Sequence, residues 1–145
     1  MNREYPERPI VGVGAVIVDA KARRVVLVRR GAQPLEGRWS IPGGALELGE
    51  TLRAGTEREA REETGLAVSA EDLLAVLDRI IPGDNGRLRY HYVLADFLCS
   101  IRGGELRAGG DATEVAWAGE DDLEKFQLDK LAVEVIRKAF ATARR

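Results

Sequence analysis

The chain switches between two hydrophobic rhythms, a continuous or alternating one suited to strands and a three-to-four-residue one suited to helices. The run IVGVGAVIVD, from Ile10 to Asp19, is β-branched and unbroken, and predicts a buried strand. After an AKAR turn, RVVLVRR predicts a second strand. GAQPLEGRWSIPGG is broken by Gly31, Pro34, Gly37 and Pro42 and predicts a loop, followed by a short ALEL strand. From about Thr51 to Thr64 the pattern is helical, with Gly65 as its stop. DLLAVLDRIIP and LRYHYVLADFLCSI predict two strands around a GDNG turn of hairpin chemistry. RGGELRAGGD predicts a loop and TEVAWAG a short strand. Beyond EDDLEKF, the residues Leu128, Leu131, Ala132, Val135, Ile136, Ala139 and Phe140 mark the buried face of a last helix.

Strands and helices mix here without strict β-α-β alternation. That predicts an α/β chain of the mixed α+β kind, with a mixed sheet sandwiched between helices. No repeat or linker divides residues 1–145, so a single domain is expected, with the polar residues 1–9 as a flexible arm. The hydrophobic share of 45% and charged share of 32% fit a globular domain. Twenty-two basic against 24 acidic residues leave a net charge of −2. That balance gives no reason to expect nucleic-acid or membrane partners. No apolar stretch approaches the roughly 20 residues a bilayer span needs, and MNREYPERP does not read as a signal peptide, so a cytoplasmic protein is expected. Cys99, the lone cysteine, sits in the apolar run YVLADFLCSI and is expected to be a buried small hydrophobe. Gly12 and Gly14 suggest the start of a dinucleotide fingerprint, but Ile17 stands where its third glycine belongs and the strand continues.

The helix is chemically odd. Glu59, Glu62 and Glu63 share one face, and each like-charge pair at this spacing costs roughly 0.2–0.5 kcal/mol. Glu62 and Glu63 also occupy the last turn, where the helix dipole favours cations. Gly55 in the interior costs roughly 1 kcal/mol against alanine. A local rule broken without local compensation points to a functional site. Three carboxylates on one face make a hard-oxygen site suited to Mg²⁺ or Mn²⁺, and without a Cys or His cluster a zinc site is not expected.

From Gly44 the sequence runs through five residues to Glu50, seven more, and then REAREETGL from Arg58 to Leu66. This matches the box G-x(5)-E-x(7)-R-E-U-x-E-E-x-G-U, in which U is aliphatic; Ala60 is a small occupant of the first U. The chain resembles the Nudix hydrolases, and VLVRRG…GRWSIPGG before the box and the Trp117 strand after it extend the likeness. The resemblance implies the Nudix fold, and Glu59, Glu62, Glu63 and the Gly43 carbonyl as metal ligands. It implies that Arg58 points off the metal face and pairs with Glu50. Glu50 must then fold back from the loop, because about 12 Å of rise would separate the two on one helix. Gly44 and Gly65 are structural positions of the box. Family members hydrolyse a nucleoside diphosphate linked to another group, using Mg²⁺, which Mn²⁺ can replace. Glu62 or Glu63 is a candidate general base, as is Asp111 in the loop before Trp117, with Glu114 as a substitute for it.

The segment GGELRAGGDATEVAWAGEDDL resembles the smaller ADP-ribose pyrophosphatases of that family. A nucleoside triphosphate pyrophosphatase is the competing reading, and a non-catalytic nucleotide-sensing domain the reading of another class. Such sensing domains usually lose a box carboxylate, and none is missing here. Arg30, Arg38 and Trp39 are candidate substrate contacts, with base stacking as the role for Trp39. His91 is expected to be structural, on the strand face opposite Tyr90 and Tyr92. A homodimer is the assembly the resemblance suggests.

Overall fold

The computed structural model describes residues 3–143. Seven strands and two α-helices follow in the order β1 (Ile10–Asp19), β2 (Arg24–Arg30), β3 (Trp39–Ser40), β4 (Gly43–Ala45), α1 (Leu52–Thr64), β5 (Leu66–Pro82), β6 (Leu88–Gly104), β7 (Ala112–Gly119) and α2 (Lys130–Ala143). A 3-10 segment, Glu120–Phe126, leads from β7 towards α2.

β1 lies in the middle. It runs parallel to β6 from Ile10 to Ile17 and antiparallel to β4 at Gly12, Val13 and Gly14. Near its end it pairs with β2, which also carries β3 and β7, all antiparallel. The sheet is therefore mixed. β1 is buried on both faces, which is why its sequence is a continuous apolar run. Ala15 and Ile17 pack with Ala60 of α1 and with Phe97 and Cys99 of β6. Val16 and Val18 pack on the other face with Val135, Ile136, Ala139 and Phe140 of α2. One helix covers each face, as the mixed α+β reading expects.

Several boundaries differ from the sequence-based expectation. The short strand is Gly43–Ala45 rather than ALEL. The two glycines lie flat against Val13 and Gly14, where a Cβ on Gly43 would overlap the Val13 carbonyl, while Leu48 projects wholly into solvent. β5 begins directly after the helix, and Leu66 to Ser69 pair with Ser100 to Gly104. Register shifts near Leu73 break its alternation, which hid this first half. Trp39–Ser40 form a short strand inside the expected loop. Leu131 is 39% exposed instead of joining the core, and its neighbours on the predicted face do the packing. The arm is tied down at Glu4 and Tyr5: Tyr5 N–H donates to the Arg89 carbonyl at 2.7 Å, and Arg89 pairs with Glu4 at 2.8 Å.

The GDNG hairpin turn forms as predicted, with Asn85 and Gly86 at positive φ. Cys99 is buried, and burial pushes its thiol up to about 12. His91 is half-buried opposite Ile80.

Candidate active site

Helix α1 starts cleanly because the Thr51 side chain accepts from Ala54 N–H at 3.1 Å, and it ends on Gly65 at φ 75°. A Cβ at Gly65 would also overlap the Glu105 carbonyl, so this position requires glycine twice over. Between these caps the helix carries the acidic face.

Glu50 does fold back from the loop before Thr51. Its two oxygens accept from Arg58 Nε at 2.7 Å and Nη2 at 2.9 Å, and the Ala45 carbonyl accepts from the same Nη2 at 3.1 Å. The other arm of Arg58 does not point away from the acidic face. Nη1 lies 2.8 Å from Glu59 and 3.4 Å from Glu62, since residues one and four positions on flank it along the helix. Arg58 thus ties the loop carboxylate to the helix carboxylates.

Glu63 is buried and accepts from Gly43 N–H at 2.8 Å. Burial, with nearby Glu59 and Asp111 adding to it, pushes its carboxyl up to about 7 against the opposing Gly43 N–H. Burial also raises the Glu59 carboxyl, opposed by Arg58. Glu62 is half-exposed. A Cβ on Gly44 would overlap the Glu59 carboxylate, which explains why glycine begins the box.

Glu59, Glu62, Glu63, Arg58 and Asp111 line one cavity of about 550 Å³. As placed, the three glutamates do not converge: among the described residues, no three His, Cys, Asp or Glu side chains are gathered as a ligand set. Glu59 and Glu62 lean on Arg58 and Glu63 on Gly43, so convergence on a cation requires those contacts to be released. The donor set nonetheless fits a hard divalent ion, being all oxygen and partly desolvated, with the Glu59 and Glu63 carboxyls raised first by burial and then by neighbouring carboxylates.

Asp111 is exposed at this cavity, and its backbone carbonyl accepts from Gly31 N–H at 2.7 Å. Glu114 is elsewhere, paired with Arg29 at 2.8 Å. Arg30 lines the acidic cavity and donates to the Pro34 carbonyl at 2.6 Å.

A second, mostly apolar cavity of about 130 Å³ shares Arg3, Arg30 and Gly43 to Ala45 with the first. Arg38 and Trp39 line it. Trp39 stands edge-on to Phe126 at 5.2 Å, so it is a packing residue with one side on the cavity. Arg38 donates to the Gln127 carbonyl at 3.2 Å.

With this geometry in place, the comparisons with known proteins are specific. The NUDIX domain model matches residues 8–139. The chain belongs to the Nudix family. It is 34% identical over 121 residues to an ADP-ribose pyrophosphatase of Methanocaldococcus jannaschii, covering 83% of this chain and 68% of that protein. It is 38% identical over 116 residues to a putative 8-oxo-dGTP diphosphatase 2 of Mycobacterium tuberculosis, covering 79% and 75%. The solved structure of a MutT NUDIX hydrolase from Burkholderia pseudomallei superposes with a TM-score of 0.74 at 29% identity, over 91% of this chain and 98% of that one. The protein is thus a pyrophosphate-cleaving Nudix hydrolase, an enzyme class that generally uses divalent metal ions.

Among the charged residues of the two cavities, reading the sequence alone missed Arg3, Glu47, Arg79, Asp96 and Asp129. Arg3 lies in the expected loose arm. Arg79, Asp96 and Asp129 come from β5, β6 and the entrance to α2. Only Asp96 left a signal, as the one charge within the apolar run YVLADFLC.

Proposed function

We propose that this Nudix hydrolase cleaves the diphosphate of a nucleoside diphosphate joined to another group, with ADP-ribose or a related nucleoside-diphosphate sugar preferred and Mg²⁺ as the ion. The observation that carries the reading is the pair of joined cavities. One is acidic and suits a cation with a diphosphate. The other is apolar and suits a nucleoside, and they meet along Gly43 to Ala45 and at Arg30.

Glu59, Glu62 and Glu63, with the Gly43 carbonyl, are the groups that hold the ion. When bound, Mg²⁺ neutralises the diphosphate and makes water a competent nucleophile, and Mn²⁺ can replace it. Arg30 at the junction binds a phosphate oxygen, and the arginine fork suits two such oxygens. Asp111, on the rim and without the Arg29 partner that occupies Glu114, is the general base that takes the water proton. Glu62 or Glu63 is the alternative. Arg38 and one side of Trp39 border the nucleoside. The ADP-ribose pyrophosphatase relative supports this substrate class. The putative 8-oxo-dGTP diphosphatase relative favours a second reading, release of pyrophosphate from a nucleoside triphosphate.

Incubation with Mg²⁺ and, separately, ADP-ribose, other nucleoside-diphosphate sugars and each nucleoside triphosphate tests both. AMP and ribose 5-phosphate as preferred products are expected. Pyrophosphate and a monophosphate as preferred products would replace the first reading by the second.

A further inference from the structure

Among the described residues, Asp96 is the acid of the apolar cavity that no other group employs. It lies on β6 with 4% of its surface exposed. Its neighbours along the same strand, Phe97 and Leu98, belong to the hydrophobic core. Among the described residues it forms no hydrogen bond or ion pair. Among the described residues, no buried side-chain polar atom is both sealed from solvent and unpaired, so its carboxylate keeps its residual exposure where the residue lines the cavity. Arg79, the cation whose charge acts on it, is spent on Asp129 at 3.0 Å. Asp129 itself accepts from Ala132 N–H at 2.9 Å as the cap of α2.

The floor around Asp96 is cleared by glycine. On β1, Gly12 stands beside Leu94 and Gly14 beside Asp96. A Cβ on Gly14 would overlap Asp96 Oδ1, and one on Gly12 would crowd Leu94. These are the two glycines that resemble the start of a dinucleotide fingerprint. Glycine weakens a strand interior, and its use there marks a close approach or a ligand. The result is a mostly apolar hollow, lined by Ile41, Leu94 and Tyr92 among others, in which the Asp96 carboxylate is the acid left without an ion-pair partner among the described residues.

We propose that Asp96 is a specificity-determining residue that accepts a hydrogen bond from the exocyclic amino group of a purine base. The proposal rests on the nucleoside lying in the apolar cavity, and adenine is the base that the proposed substrate presents. An acidic side chain accepts hydrogen bonds when ionised, so a base offering an N–H is favoured and one offering an oxo group in the same place is repelled. An unmatched buried acceptor discriminates strongly, because the wrong ligand leaves it unpaired.

The test uses nucleoside monophosphates, whose binding is read without turnover. IMP lacks the amino group of both AMP and GMP. Calorimetric titration of the full chain is expected to show AMP or GMP binding at least about tenfold tighter than IMP. In Asp96→Asn and Asp96→Ser that ratio falls to within about twofold. A purely structural Asp96 would shift all three ligands together. Wild-type binding of both AMP and GMP within twofold of IMP overturns the proposal, as does an unchanged ratio in either variant. The ligand-side comparison needs no variant to fold. Hydrolysis of ADP-ribose without such discrimination fells this inference alone. Discrimination without hydrolysis of any substrate in the panel fells the catalytic reading alone.

Discussion

Glu50 and Arg58 hold each other across the entry to α1 through two hydrogen bonds of 2.7 and 2.9 Å, although they stand eight positions apart in the chain. Both side chains are largely buried, at 14% and 22% exposure. The pair fixes the loop that follows β4 against the helix carrying Glu59, Glu62 and Glu63. Arg58→Lys keeps the charge but lacks the planar fork, so it cannot reproduce both bonds. It is expected to destabilise the fold by about 1–3 kcal/mol, read as a lower urea midpoint at unchanged slope. The pair also has a pH signature. The Arg58 hydrogen bond lowers the Glu50 carboxyl, so its stabilisation is present above the ordinary glutamate range and is lost as pH falls through the lowered folded value. Glu50→Gln should flatten that acid limb.

Glu63 shows the opposite sign. Its carboxyl is raised to about 7, so the folded chain favours the protonated acid. Stability of the chelator-treated protein is then fully present below about 4.5 and falls as pH rises from there towards 7. Glu63→Gln removes the buried charge and keeps an oxygen for Gly43 N–H. Melting in EDTA should show the variant at least as stable as the parent above pH 7, with the fold intact. Turnover with Mg²⁺ should drop on the order of a hundredfold or more. Near wild-type turnover would remove Glu63 from the metal site.

The box was legible because a helix converts linear spacing into a shared face. Glu59, Glu62 and Glu63 are neighbours by arithmetic, and the offset from Glu50 to Arg58 forces a fold-back that the structure contains. The direction of a side chain with two donor arms was less legible: Arg58 serves both Glu50 and Glu59, and the family resemblance assigned it to Glu50 alone. The apolar cavity was legible only at Arg30, Arg38 and Trp39. Its floor brings together Gly14, Arg79, Asp96 and Asp129 from three strands and a helix cap, through a parallel pairing of β1 with β6 that no local pattern encodes. Likewise the first half of β5 was lost where register shifts interrupt alternation.

Asp111 and Glu114 separate by partner. Glu114 sits at 2.8 Å from Arg29 and outside the acidic cavity, whereas Asp111 faces that cavity. Asp111→Ala is expected to lower kcat by roughly a hundredfold or more, the range for loss of a general base. Glu114→Ala should leave kcat within about twofold. Equal losses in steady-state assays of the two variants would mean that the loop as a whole, rather than one carboxylate, matters.

Asp96 links specificity to stability. Burial pushes its carboxyl up to about 6, with Asp129 adding to the shift and Arg79 opposing it. Tyr92 of its own strand and Arg30 and Arg38 also line the cavity it faces. Because the folded value lies above the unfolded one, the folded chain holds more protons between about 3.8 and 6, and stability falls as pH rises across that window. Above it, the wild-type protein carries an ionised, unpartnered carboxylate in an apolar hollow. Asp96→Asn stays neutral at every pH. It is therefore expected to be more stable than the parent above pH 6, by on the order of 1–3 kcal/mol, with the advantage shrinking to little below pH 4. Urea unfolding at a series of pH values measures the difference directly. An advantage that does not change with pH would mean that Asp96 does not titrate in this window. One that grows as pH rises marks an acid kept in the cavity at a cost to stability, which is the pattern expected of a residue retained for its ligand.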